Sequence, residues 1–209
     1  MNTAKDVAIV SNPIISIGVD QGIASCGYSV VKLTDTDVIE VIVSGTIKTP
    51  SSQTYGKRLN TIYEKIQALA TEYEANIIGC EKLFFNPKMK VDNRNKSASM
   101  MHTNMATAVL HLVSESIRIP IVDFVPGTIK KFITGNGRAT KEDVENAVTK
   151  IMGDSKEVKT EHEADAIAIG ITAVKYYKEN KDDLLNDKNK KKKRKTKKKK
   201  MKGDKDNEE

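Results

Sequence analysis

Three runs rich in β-branched residues follow one another early in the chain with only short breaks between them. Ile14 to Asp20 reads as a strand punctuated by Gly22, Gly27 to Leu33 as a second, and Val38 to Lys48 as a third. Val, Ile and Thr suit a pleated, half-buried surface, and consecutive strands joined by turns pair as antiparallel neighbours. This meander fixes one part of a sheet, and the segments after it alternate. Tyr55 to Tyr73 has helical spacing, with Leu59, Ile62, Tyr63, Ile66, Leu69 and Ala70 apolar. Asn76 to Glu81 is a short apolar strand, and Lys96 to Ile117 a helix with Ala98, Met101, Met105, Ala108, Val109, Leu112 and Val113 on its apolar side. Ile119 to Val125 is a strand ended by Pro126-Gly127, and Thr128 to Ile133 a short helix. Thr140 is placed to N-cap a helix to about Met152, with Asp143 completing a capping box. A last helix is expected from about Glu163 to Tyr177, with Ala164, Ile167, Ala168, Ile171 and Val174 on one face. The order βββ-α-β-α-β-α-α predicts a mixed α/β layer fold.

A chain of 209 residues can build one domain with a real core and have sequence left over. The surplus is visible: Asn186 to Glu209 contains one apolar residue, Met201, and 13 Lys plus Arg against 5 Asp plus Glu. That segment is about +8 and the whole chain +7, so residues 1–185 are close to neutral. The predicted organisation is an N-terminal extension at 1–13, a folded body at 14–180 and a lysine-rich tail at 181–209. Such a tail repels itself, buries no core and is expected to be disordered. Two readings of it stay open: a solvated, solubilising segment, or one drawn to a polyanion such as DNA or RNA. No apolar run is long enough to span a membrane, and MNTAKDVAIVSNP lacks the apolar centre of a signal peptide. Cys80 lies in a predicted strand and Cys26 directly precedes one, at no metal-ligand spacing, which suits buried thiols in a reducing interior. A cytoplasmic location beside DNA is the expectation.

Three acidic residues stand in costly surroundings. Asp20 ends the first strand, Glu81 ends the fourth, and Asp165 sits among alanines and isoleucines in EHEADAIAIG. Sites in open α/β sheets lie at the carboxyl ends of strands. If the first and fourth strands are parallel neighbours, Asp20 and Glu81 leave the same edge, and the last helix can bring Asp165 there. Crowded carboxylates repel one another unless a cation lies between them, and hard oxygen ligands suit Mg²⁺ or Mn²⁺. His162, three residues before Asp165, shares its helix face and is a candidate ligand or orienter of water. Glu161 is also within reach, whereas Glu163 points about 160° away from Asp165. Taken singly, each has an ordinary alternative: a turn or cap residue for Asp20, a pairing with Lys82 or Lys130 for Glu81, a helix-start residue for His162.

Four segments in order, GVDQGIASCGYSVV, CEKLFF, IKKFITGNGRATKEDV and HEADAIAIGIT, resemble the RuvC-type Holliday junction resolvases, over about Ile14 to Lys175. The resemblance implies an RNase H-like fold: a mixed five-stranded sheet, three antiparallel meander strands plus parallel strands, flanked by helices. It also implies a homodimeric, magnesium-dependent crossover junction endodeoxyribonuclease that nicks opposed strands of a four-way junction in recombination and repair. On that basis Asp20, Glu81, His162 and Asp165 are the expected metal ligands. They would hold two Mg²⁺ per site, with Mn²⁺ a plausible substitute that a histidine in place of a fourth acid favours. Lys130 and Lys141 match lysines that stabilise phosphate charge. Phe84 matches an aromatic at the junction centre, a position where a ring stacks on an unpaired base, and one of Phe84 and Phe85 is expected to be buried. Lys90, Arg94, Lys131 and Arg138 are the further expected DNA contacts. Gly135 and Gly137 either admit DNA close to the backbone or shape the turn.

The loop after Glu81 and the lysine tail depart from the family pattern. They keep two other readings in view: a broader nuclease of forks and flaps, and a DNA-binding protein without catalysis that acts through its tail. A two-lobed actin-like nucleotide fold ranks below these, because the chain shows no second glycine-rich phosphate loop. The helix from Ser97 to Ile117, with Met100, Met101 and Met105, is the expected dimer interface; the alternative is that these methionines are core.

Overall fold

The structure, a computed structural model, describes residues 12–82, 94–153 and 158–203. Strands β1 (Ile14–Asp20), β2 (Ser25–Leu33) and β3 (Ile39–Lys48) form the meander. They are followed by α1 (Tyr55–Glu72), β4 (Ile77–Glu81), α2 (Arg94–Ile117), β5 (Ile121–Phe124), α3 (Pro126–Thr134), α4 (Lys141–Met152) and α5 (Glu161–Gly203). The sheet order is β3-β2-β1-β4-β5. β1 runs antiparallel to β2 and β2 to β3, whereas β1 with β4 and β4 with β5 are parallel. This is the five-stranded mixed sheet that the resemblance implies, and it puts the carboxyl ends of β1, β3, β4 and β5 along one edge.

Strand alternation divides the core into two. Ile17 and Val19 of β1, Cys26 and Val30 of β2 and Ile78 and Cys80 of β4 pack against α1 and α2 through Ile62, Ile66, Leu69, Leu110 and Val113. The opposite face, with Val31 and Ile77, packs against Ile167, Ile171 and Val174 of α5 and against α3 and α4. α5 crosses this face at very short range. A Cβ on Gly18 would lie 2.2 Å from the Ala166 carbonyl oxygen, and one on Gly27 would overlap the His162 carbonyl. Ser16 Oγ donates to Gly170 O and Ser29 Oγ to Ala166 O, each at 2.8 Å. Small residues on both sides therefore set the depth of α5 against the sheet.

Most helix limits follow their signals. Thr140 and Asp143 form the expected capping box, and Thr54 caps α1 by accepting from Lys57 N. Two expectations need correction. β5 does stop just short of Pro126, but α3 starts at Pro126 rather than at Thr128; at that first position the missing N–H costs nothing and the fixed φ is already helical. The apolar side of α2 is also divided. Ala106, Val109, Leu110 and Val113 are buried, whereas Met101 and Leu112 are 57% and 62% exposed and Ala108 is exposed. A helix with apolar residues around most of its surface has more than one stripe that periodicity could turn inward. The core reading of the methionines thus fails for Met101. The tail expected at 181–209 begins within α5, which continues to Gly203 past a non-helical Asn180. Its side chains from 187 onward lie outside the described residues. Phe84, Phe85, Lys90 and the extension at 1–11 also lie outside them, as does the Arg94 side chain.

Candidate active site

Asp20 and Glu81 reach the same place because their strands do. The parallel register pairs Gly18 with Gly79 and Val19 with Cys80, and one step further both strands end in a carboxylate. By alternation, Ser16, Gly18 and Asp20 of β1 and Gly79 and Glu81 of β4 face α5. The first turns of α5 then supply the rest. His162 Nδ1 lies 2.6 Å from Asp20 Oδ2. Lys141, at the start of α4, places Nζ 3.7 Å from Asp165 Oδ2 and is ion-paired with Glu161. Asp20, Glu81, His162, Asp165 and Lys141 are therefore gathered at one end of the sheet from four separate segments.

The electrostatics reflect this crowding. Burial pushes the Glu81 carboxyl above its usual range, and the charges of Asp20 and Asp165 push it further. Burial likewise raises Asp165; Lys141 opposes that most strongly, Asp20 adds to it, His162 opposes it and Glu145 adds to it. Among the described residues, no three His, Cys, Asp or Glu side chains are gathered closely enough to hold a metal ion as they stand. The donor set still suits one. Three clustered carboxylates, with Glu81 and Asp165 raised in part by the neighbouring acids and an imidazole beside them, are oxygen and nitrogen ligands that a divalent cation would suit.

A cavity of about 270 Å³ opens beside the acids, lined by Glu81, Asp165, Lys130 and Lys141 with Ile129 and Ile169. Lys130 is half-buried toward it, whereas Lys131 and Arg138 are exposed. Of the lysine pair, then, Lys130 borders the acids. Gly135 takes a left-handed φ of 79° at the end of α3, and its neighbour Gly137 packs its would-be Cβ 3.1 Å from Gly127 O. These glycines shape the turn between α3 and α4 that sets Lys141 in place.

Two functional contacts escaped the sequence reading. Gln21 is buried; its side chain accepts from Glu81 N at 3.1 Å and donates to Glu81 O at 2.5 Å. Its amide clamps the end of β4 to that of β1 and so fixes the spacing of the two acids; the adjacency to Asp20 was its one signal. Glu163 does turn away from Asp165, and it is buried. Its carboxylate accepts from Ser44 Oγ at 2.6 Å and from Lys159 N at 3.0 Å, tying the start of α5 to β3. Cys80, next to Glu81, is no nucleophile: its thiol is fully buried, donates to Asp123 Oδ1 at 3.0 Å and has its pKa raised well above the usual thiol range, chiefly by burial.

Comparison with known proteins points in one direction. The family profile of the crossover junction endodeoxyribonuclease RuvC matches residues 16–173. A RuvC of Natranaerobius thermophilus is 30% identical over 165 residues, 79% of this chain and 97% of that protein. One of Gloeobacter violaceus is 31% identical over 156 residues, 75% of this chain and 85% of that protein. Among solved structures, RuvC of Thermus thermophilus in complex with a Holliday junction substrate superposes with a TM-score of 0.67 at 21% identity, over 76% of this chain and 92% of that one. The yeast mitochondrial Holliday junction resolvase superposes at 0.53 and 11% identity, over 81% and 86%. Both share the fold described above.

Proposed function

Because this chain belongs to the RuvC family of crossover junction endodeoxyribonucleases, we propose that it resolves Holliday junctions by paired phosphodiester nicks in DNA recombination and repair. The observation that carries this reading is the arrival of Asp20, Glu81 and Asp165 at one sheet edge with His162 against Asp20 and Lys141 against Asp165. Asp20, Glu81, His162 and Asp165 would hold divalent metal, Mg²⁺ or in its place Mn²⁺, in a two-ion arrangement. When bound, such ions supply positive charge at the scissile phosphate and lower the pKa of water. The chain's own residues do the rest. Lys141 and Lys130 bring cationic charge to the phosphate oxygens, where negative charge grows in the transition state. His162 orients the Asp20 carboxylate, and Gln21 holds Asp20 and Glu81 at a fixed spacing. Phe84 is assigned to the junction centre, and Lys90, Arg94, Lys131 and Arg138 to the DNA backbone.

Two opposed nicks in a two-fold substrate require two sites facing it, so the working form is a homodimer. The exposed stripe of α2, Met101, Ala108 and Leu112, is the surface assigned to the partner copy. The lysine tail adds attraction to DNA without sequence preference, and the protein acts in the compartment that holds the DNA, the cytoplasm. No helix among the described residues is long and apolar enough to cross a membrane.

The test is cleavage of a synthetic four-way junction, a Y-fork and a flap with Mg²⁺ or Mn²⁺ by the parent and by Asp20→Asn and Glu81→Gln. The parent is expected to cut the junction, and the variants to bind it while cutting at least about 10²-fold more slowly. Parental rates in both variants would overturn the site assignment. Equal rates on all three substrates would overturn junction selectivity in favour of a general branched-DNA nuclease.

A further inference from the structure

On the far side of the β1–β2 turn from α5, a guanidinium is buried with no counter-ion among the described residues. Arg58, in the first turns of α1, is 7% exposed. Its Nε donates to Thr49 Oγ1 at 2.9 Å, and its Cζ lies 5.8 Å from the centroid of the Tyr55 ring. Among the described residues no carboxylate lies within ion-pair distance of Arg58. A buried cation whose side chain, among the described residues, has one hydrogen bond, to a neutral hydroxyl, and packs by a ring face is a costly arrangement in the free protein. An anion reaching the guanidinium would relieve it.

The surroundings of Arg58 suit an anion and a nucleotide together. Tyr55 is 48% exposed and hydrogen-bonds through its hydroxyl to His102 Nε2 at 2.9 Å, the two rings 5.1 Å apart and inclined at 39°. The first turn of α1 carries no acidic residue, Lys48 and Lys57 are exposed beside it, and a Cβ on Gly56 would meet nothing within 4 Å. The patch is joined to the catalytic edge by covalent and hydrogen-bonded steps. Thr49 follows β3, its N–H donates to Ala24 O at 3.1 Å, and its hydroxyl donates to Ile23 O. Ile23 stands three residues after Asp20, and β3 ends at that same edge because Lys48 pairs with Ser25.

We propose that Arg58, Tyr55 and His102 form a second DNA contact on the α1–α2 side of the catalytic edge. Arg58 binds a backbone phosphate of the strand that passes the β1–β2 turn, and the Tyr55–His102 pair offers a ring face to its sugar or base. This inference rests on the resolvase reading and adds to it a phosphate site outside the acidic cluster.

The experiment is binding of a four-way junction by the full chain in EDTA, so that cleavage does not intervene, at several salt concentrations, with phosphate-ethylation interference as the local readout. Arg58→Gln keeps a donor for Thr49 and removes the charge. It is expected to weaken binding about tenfold, to lower the slope of log affinity against log salt by about one, and to abolish interference at one phosphate beside the cleavage position. Tyr55→Ala is expected to weaken binding a few-fold with the slope unchanged. Should Arg58→Gln melt well below the parent, Lys57→Glu at the exposed rim of the patch decides: loss of the same interference supports the site, and its retention overturns it. Parental affinity, slope and interference in a folded Arg58→Gln protein would overturn the inference, and parental cleavage of the junction in the same preparation would leave the resolvase reading standing. A parent that binds no junction would overturn both.

Discussion

The imidazole Nδ1 of His162 lies 2.6 Å from Oδ2 of Asp20, across 142 residues of sequence. In the proposed metal site, one candidate ligand is thus a nitrogen donor already engaged with an acid. A neutral imidazole leaves the cluster one negative charge short of four carboxylates, which favours a softer, more readily dehydrated ion. His162→Asp is expected to lower the ratio of Mn²⁺-supported to Mg²⁺-supported cleavage by about tenfold, on the order of what altered metal surroundings cost. Initial rates with each ion at saturation measure it. An unchanged ratio would remove His162 from the metal site.

The raised carboxyls predict a trade between stability and activity. A carboxyl whose folded pKa lies above its unfolded value binds its proton more tightly in the folded state. Its favourable contribution is therefore present at low pH and is lost as pH rises from the ordinary carboxylate range through the raised value. Glu81 and Asp165 are both of this kind, so in EDTA at neutral pH each ionised group opposes folding. Glu81→Gln and Asp165→Asn should raise the melting temperature at pH 7 by roughly 1–3 °C, a modest gain because both sites are partly screened by solvent. The gain should shrink toward pH 4. A gain that grows as the pH falls would contradict the assignment.

Lys141 lies between Glu161 and Asp165, at the edge of the cavity beside the acids. If it stabilises charge at the phosphate, its effect belongs to the transition state. Lys141→Ala should then lower turnover by about 10²–10³-fold with little change in KM. Steady-state kinetics on a junction at fixed metal concentration separate the two constants. A change confined to KM would make Lys141 a binding residue.

The strands and most helix limits could be read from β-branched runs, caps and periodicity, because local rules govern them. Asp20, Glu81 and Asp165 were legible as costly charges, and the family pattern brought them together; the parallel pairing of β1 with β4 is what physically unites two of them. Less was legible where tertiary context decides. Whether Leu112 or Leu110 faces the core depends on which stripe of α2 meets the sheet. The clamp by Gln21 and the anchor of Glu163 on Ser44 exist only once distant strands have met. Nothing in the neighbours of Arg58 along the chain reveals that its side chain is buried.

Gly18 limits how closely α5 can dock. A Cβ there would lie 2.2 Å from Ala166 O and 2.3 Å from Gly170 N, both backbone atoms that cannot rotate away. Gly18→Ala must therefore displace α5, at a cost of about 3 kcal/mol or more, which corresponds to a fall in melting temperature of roughly 6–12 °C. Because α5 carries His162 and Asp165, cleavage should fall with it even below the new melting temperature. A variant that melts and cuts like the parent would show that α5 is not seated as described.

The outward stripe of α2 sets the last test. Leu112 is 62% exposed and Met101 57%, about three turns apart on the same side as Ala108, while the core side of the helix is already filled by Leu110 and Val113. Apolar side chains so placed gain from burial against a second copy. Leu112→Glu would put a like charge on both sides of a two-fold contact, so it should shift the protein toward monomer in light scattering at micromolar concentration. The melting temperature of the isolated fold should change little, since Leu112 contributes little to the core. On a four-way junction the monomeric variant should give single, uncoordinated nicks in place of paired ones, scored as nicked against resolved products of a supercoiled cruciform. A dimer that persists with paired cutting intact would move the interface to another face.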